Sequence, residues 1–279
     1  MREVLGPGSM SLEGRRALVT GAARGIGRAT ALALARFGAD VAVCDRLGDE
    51  LAGTVAELEG LGREAPSAVL DVRDTEAVQA WVDELEGSWP GLHVLVNNAG
   101  GGFFAEVAAV SAKGQAALVA ENFTQVVDVT RSCLALLRSG ATGTPGGASI
   151  VNITSVEAHR AGPGFGIYSA MKAGVENLTR TLALELATDR VRVNAVAPDM
   201  IPTPGDAGLT DDSGALANPD WAPTPWPEEG HPDDVAAAVV WLASPMSRFV
   251  TGSTVHVDGG TLAASGWKRR ADGSGGWVL

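Results

Sequence analysis

Tyr168 and Lys172 stand four residues apart in the stretch GFGIYSAMKAGVENLTRTLALEL, a spacing that puts two side chains on one face of a helix. A phenol with a pKa near 10 is a poor proton carrier at neutral pH. An ammonium held beside it favours the phenolate and lowers that pKa. Such a pair suits a reaction that leaves negative charge on oxygen, as hydride transfer to a carbonyl does, where a proton must arrive with the hydride. By itself the pair reads as a surface tyrosine stacked on a lysine stem, and only what the rest of the chain brings to it can overturn that.

A second group of residues has the look of a phosphate cradle. The run RALVT leads into TGAARGIGRA, which sets Gly21, Gly25, Ile26 and Gly27 between a strand pattern and a helix pattern. Glycines let the backbone turn tightly and approach a pyrophosphate, and the amides and dipole of the helix start favour negative charge. The spacing is TGxxxGxG rather than GxGxxG. The next strand pattern ends in Asp45, where a carboxylate can accept hydrogen bonds from ribose hydroxyls and repel a 2′-phosphate, which favours NAD over NADP. Arg24 and Arg46 flank this position and could instead pair with a phosphate. Asp45 is otherwise a strand-end turn residue.

The elements that must position these groups alternate along the chain. RALVT, VAVCD, SAVLDV, HVLVNN, ASIVNIT, VRVNAVA and STVHVDG read as strands, separated by segments with apolar residues at helical spacing. That alternation predicts an α/β fold, a Rossmann-type doubly wound sheet of seven parallel strands with helices on both faces, in a single domain over residues 12–262. One helix is expected to run unbroken from Gly114 to Gly140. Residues 201–232 hold seven prolines and Trp221 and Trp226 without a sustained period, and a loop of this length in a compact domain is usually functional or disordered. Residues 1–11 read as a flexible leader and 263–279 as a tail whose glycine and serine content favours disorder.

The formal net charge of −12 argues against nucleic acid and anionic membranes as partners and leaves small molecules open. Two cysteines, Cys44 and Cys133, lie in apolar runs, have no metal or disulfide spacing, and point to buried free thiols in the cytoplasm. The N-terminus has no apolar signal region and no run is long enough for a membrane span. Four scattered histidines make a metal site unexpected.

TGAARGIG, LDV at Leu70 to Val72, NNAG at Asn97 to Gly100, Asn122, Ser155, YSAMK and VNAVAPDMIPT occur in this order, and together they resemble the short-chain dehydrogenase/reductase family, in its compact single-domain type that includes 3-oxoacyl thioester reductases and bacterial hydroxysteroid dehydrogenases. The resemblance runs from about Leu12 to Gly260. It implies Asp71 and Val72 at the adenine, and Asn97, Asn98, Ala99 and Gly100 beneath the cofactor. Pro198, Ile201 and Thr203 follow at the nicotinamide carboxamide. It implies Tyr168 as acid/base, Lys172 as ribose ligand and the cation that lowers the phenol's pKa, Ser155 as partner of the substrate carbonyl, and Asn122 as the residue that orders a relay water. It also implies a homotetramer. At Asp199 the chain departs from the usual Pro-Gly, which makes that residue either an extra carboxylate near the nicotinamide or a turn former. Glu157 and His159 follow Ser155 closely enough to line a substrate pocket, or lie in a solvated loop; Trp221 and Trp226 would add apolar contact or merely pin the loop.

The activity implied is NAD-linked, with NADP open, interconverting a secondary alcohol and a ketone on an apolar or ring-bearing substrate. An NADPH-dependent 3-oxoacyl thioester reductase is the alternative within enzymes, and a nucleotide-binding sensor or scaffold without turnover the alternative outside them.

Overall fold

Seven parallel strands form one sheet in the computed structural model, which describes residues 6–206, 222–272 and 276–278. They are β1 Arg16–Thr20, β2 Asp40–Asp45, β3 Ser67–Val69, β4 Val94–Asn97, β5 Ala148–Ile153, β6 Val191–Pro198 and β7 Thr254–Val257, in spatial order β3-β2-β1-β4-β5-β6-β7. The order reverses between β1 and β4, so the carboxyl ends of those strands open a crevice of the kind where such sheets bind ligands.

Both faces of the five inner strands are covered, which is why β1, β2, β4, β5 and β6 read as continuous apolar runs rather than alternating ones. Ala17 and Val19 face one core with Leu34 of α1 (Gly25–Arg36), Leu51 and Leu58 of α2 (Gly48–Gly60) and Val239 of α7 (Pro232–Ala243). Leu18 faces the other with Trp81 of α3 (Thr75–Ser88), Leu137 of α5 (Gln125–Ala141) and Ala183 of α6 (Gly166–Glu185). Cys44 and Cys133 sit in this second core as free buried thiols, and burial pushes the Cys133 thiol up to about 12.

Four departures from the sequence reading have local causes. The long helix is interrupted: α4 (Ala112–Val119) passes into a π-helical turn, Ala120–Thr124, before α5 begins. The third strand stops at Val69; Leu70 donates one last N–H to Asp45 O, after which Asp71 turns the chain. The described part of the leader is docked rather than free, with Pro7–Met10 in a 3-10 turn, Met10 packed on the first core and Leu12 fully buried. The described part of the tail is ordered too. After α8 (Thr261–Ala264), β8 (Lys268–Arg269) pairs antiparallel with β9 (Trp277–Val278), and Arg269 ties the tail to the end of the proline-rich segment by accepting the Ala222 N–H and donating Nε to Pro225 O.

Outside the crevice, His93 locks β1 to β4. Its Nδ1 accepts the Arg16 N–H at 3.0 Å, so the proton of the neutral ring resides on Nε2. Burial, with Arg15 and Arg16 nearby, pushes the ring's pKa down to about 4. Among the described residues no helix is long and apolar enough to cross a membrane, and no group of three or more His, Cys, Asp or Glu could hold a metal.

Candidate active site

The glycine turn joins β1 to α1 at the floor of the crevice. Gly21 and Gly25 have φ of +66° and +57°, a left-handed backbone that side chains rarely tolerate. Gly27 is held by space instead: a Cβ there would lie 2.0 Å from Gly21 O. Helix α1 begins at Gly25 with no side chain capping it, which leaves first-turn amides of Gly25, Ile26 and Gly27 directed at the crevice. Thr20, which the sequence reading passed over, ties the next strand to this turn. Its Oγ1 accepts the Asn98 and Ala99 N–H groups at 3.1 and 3.0 Å, and Asn98 Nδ2 donates to Thr20 O and Gly21 O.

Asp45 closes the β2 end of the turn, accepting the Ala23 N–H on Oδ2 and the Leu47 N–H on Oδ1, each at 3.0 Å. Arg46 beside it is exposed, whereas Arg24 lies 3.8 Å from the Glu50 carboxylate. Asp71 is gripped by the Arg73 guanidinium, which holds its carboxyl below the ordinary value, while Val72 is buried.

On α6, Lys172 is 5% exposed and donates Nζ to Ile153 O at 3.0 Å, with Nζ 5.6 Å from the centroid of the Tyr168 ring. Burial pushes the ammonium's pKa down to about 8, opposed by the Glu121 carboxylate. A Cβ at Gly100 would stand 3.3 Å from Lys172 Nζ and 3.1 Å from Asn122 Oδ1, so this glycine keeps the backbone close to both. Asn122 is fully buried in the π-helical turn. The wider turn frees Leu118 O for Asn122 Nδ2, which also donates to Gly101 O at 2.7 Å; Gln125 Nε2 fills the corresponding gap at Glu121 O and reaches Ala99 O. Gln125 and Glu121 carried no signal in the sequence, because only the broken helical phase turns them inward.

Ser155 lies two residues beyond β5 in extended backbone, buried, with Oγ accepting the Glu157 N–H at 3.2 Å. That contact occupies a lone pair and leaves the hydroxyl hydrogen available to an incoming oxygen. Phe165 packs edge-on against Phe104 and Tyr168, at centroid distances of 5.5 and 6.3 Å. Neither phenylalanine was singled out from sequence, although GGFF directly follows NNAG.

The remaining candidates divide. Thr203, beyond Pro198 and Ile201, comes to the glycine turn, where its Cβ lies 3.2 Å from a Cβ built on Gly25. Glu157 is engaged by Arg160, and His159 turns onto Glu176, at 3.4 Å, and onto the His256 ring. Trp226 is 61% exposed, and Trp221 lies outside the described residues.

The family model described as enoyl-(acyl carrier protein) reductase matches residues 21–261. The 3-oxoacyl-[acyl-carrier-protein] reductase of Thermotoga maritima is 37% identical over 253 residues, spanning 91% of this chain and 100% of that protein. The 3beta-hydroxysteroid dehydrogenase 1 of Eggerthella lenta is 36% identical and spans 92% and 97%. Among solved structures, carveol dehydrogenase from Mycobacterium avium in complex with NAD matches with a TM-score of 0.83 at 32% identity, over 90% of this chain and 99% of that one.

Proposed function

The chain belongs to the short-chain dehydrogenase/reductase family and is an NAD(P)-dependent oxidoreductase acting on CH–OH groups; from that premise we propose that it interconverts a secondary alcohol and a ketone on an apolar, ring-bearing substrate. The observation that carries the acid/base part is the buried Lys172 ammonium beside the Tyr168 ring. The ring-bearing part rests on the aromatic row Phe104, Phe165 and Tyr168, in keeping with relatives named for a steroid and for carveol.

The cradle fits a dinucleotide on steric and donor grounds: uncapped amides at the start of α1 stand beside glycines whose side-chain space is already filled. Gly21, Gly25, Ile26 and Gly27 would hold the pyrophosphate and Asp45 the adenosine ribose. Asp71 and Val72 would hold the adenine, Lys172 the nicotinamide ribose, and Pro198, Ile201 and Thr203 the carboxamide, with Asn98, Ala99 and Gly100 beneath the cofactor. Once bound, the nicotinamide supplies or accepts the hydride. Ser155 then donates its hydroxyl hydrogen to the substrate oxygen, and Tyr168 gives that oxygen a proton in reduction or removes one in oxidation. Lys172 favours the phenolate while it stays charged, which its pKa of about 8 allows up to mildly alkaline pH. Asn122, held by its bonds to Gly101 O and Leu118 O, would order the relay water.

We favour NAD, because Asp45 places its carboxylate at the mouth of the glycine turn. A cytoplasmic setting suits the two free buried thiols, and a homotetramer suits the apolar side chains left outside, Leu184 on α6 and Phe249 before β7. The test is turnover of NADH and NADPH with cyclic ketones, aliphatic 2-ketones and a 3-oxoacyl thioester. Tyr168→Phe should lower turnover by about 10²-fold or more with cofactor binding little changed. Near-native turnover in that variant, or reduction of the thioester alone, overturns the proposal.

A further inference from the structure

Asp199 stands where the chain departs from the usual Pro-Gly, and the structure supplies that departure with a partner. Arg160 Nη2 donates to Asp199 Oδ2 at 3.0 Å and to Glu157 Oε1 at 2.8 Å, and Arg160 Nε reaches the same Glu157 oxygen at 3.1 Å. Asp199 Oδ2 also accepts the Thr261 hydroxyl at 2.6 Å, and the Asp199 N–H donates to Val257 O. Glu157 in turn donates its N–H to Ser155 Oγ. The turn after β5 and the exit of β6 therefore meet at one guanidinium, and the start of α8 joins them through the same Asp199 oxygen.

We propose that Arg160 is a positioning residue for the reaction, strapping the Ser155 turn to the exit of β6 and so setting the substrate's oxygen partner against the loop that carries Pro198, Ile201 and Thr203. This rests on the reading of the site as one for carbonyl reduction. A planar, forked guanidinium can bridge two carboxylates in fixed directions, which a lysine's single ammonium cannot. The three side chains remain 38%, 19% and 15% exposed, and partly exposed ion pairs add little to global stability. The strap should therefore be felt in the rate and not in the unfolding transition, since small misplacements of reacting groups are kinetically expensive.

Arg160→Gln, Arg160→Lys, Asp199→Gly and the double variant Arg160→Gln/Asp199→Gly test this, with the cyclic ketone turned over fastest by the native enzyme as the probe. Arg160→Gln and Asp199→Gly are each expected to lower kcat on the order of tenfold, with the unfolding midpoint and the affinity for ADP-ribose unchanged. Arg160→Lys should recover only part of the loss. The double variant should be no slower than the worse single, because both changes cut the same link. A native kcat in Arg160→Gln, multiplying losses in the double variant, or a falling midpoint that tracks kcat would each overturn the proposal. Tyr168→Phe, measured alongside, reports on the acid/base reading by itself, so the failure of either is told from the failure of the other.

Discussion

The same substitution, glycine to alanine, should act with opposite sign at two helices of this fold. At Gly27 the added methyl would sit 2.0 Å from Gly21 O, 2.5 Å from Asn98 Nδ2 and 2.8 Å from Gly21 C. Comfortable non-bonded separations are about 3.5 Å, so the first turn of α1 must back away from β1 by more than an ångström. The obstacle is backbone and cannot rotate aside. Over-packing of this kind costs about 1–3 kcal/mol, and the rigid neighbour puts Gly27→Ala near the upper end. The displacement also moves the first-turn amides, so affinity for NAD should fall at least about tenfold, or roughly 1.4 kcal/mol. Gly53 lies inside α2, and an added methyl there would meet nothing within 4 Å. At that position alanine should stabilise the protein by about 1 kcal/mol through helix propensity alone. Urea unfolding gives the two stabilities, and calorimetric titration with NAD gives the two affinities. Equal unfolding midpoints for the two variants, or native NAD affinity in Gly27→Ala, would refute the steric argument. If Gly27→Ala is too unstable to purify alone, the comparison can be made in the Gly53→Ala background.

Two further expectations concern charge. Asp45→Ala removes the acceptor for the Ala23 and Leu47 N–H groups; it should weaken NAD binding and narrow the preference over NADP, and Kd values for both cofactors on native and variant protein check it, with a native preference for NADPH overturning the assignment. His93, held near pKa 4 against an ordinary 6.5, is neutral in the native state where the unfolded chain already binds a proton. Stability should therefore fall as pH drops from 6.5 towards 4, by about 1–2 kcal/mol once partial exposure is discounted. His93→Gln, whose amide oxygen can still accept the Arg16 N–H, should flatten that slope in unfolding experiments at pH 4.5 and 7; parallel curves for the two proteins would count against the assignment.

The sheet was legible because strands buried on both faces must be apolar at consecutive positions, and Leu18 and Val19 serve two different cores. Gly21, Gly25 and Gly27 were equally readable, since only glycine meets their conformational and steric demands. The break at Ala120–Thr124 was not, because the apolar period of α5 resumes immediately after it and Asn122 looks like an ordinary polar helix residue. Arg160 escaped for another reason: its partners are three and thirty-nine positions away, and such pairings follow from where strands end rather than from local spacing. The antiparallel pairing of Lys268–Arg269 with Trp277–Val278 was hidden by a composition rich in glycine and serine, which reads as disorder.

The wide turn at Ala120–Thr124 makes the helical rod behave as a shaft with a built-in twist. A regular helix advances about 100° per residue, so the one surplus residue re-indexes everything on the α4 side against everything on the α5 side. Removing a residue there would let the rod close into an uninterrupted helix, still hydrogen-bonded throughout and still burying the stripe that includes Val129, Cys133 and Leu137. What it would lose is the angular offset that points Asn122 at Gly101 and Leu118. At this place the scaffold and the chemistry are separable by a single unit of chain length, and a protein shortened by that unit would keep its shape while losing the alignment of its site.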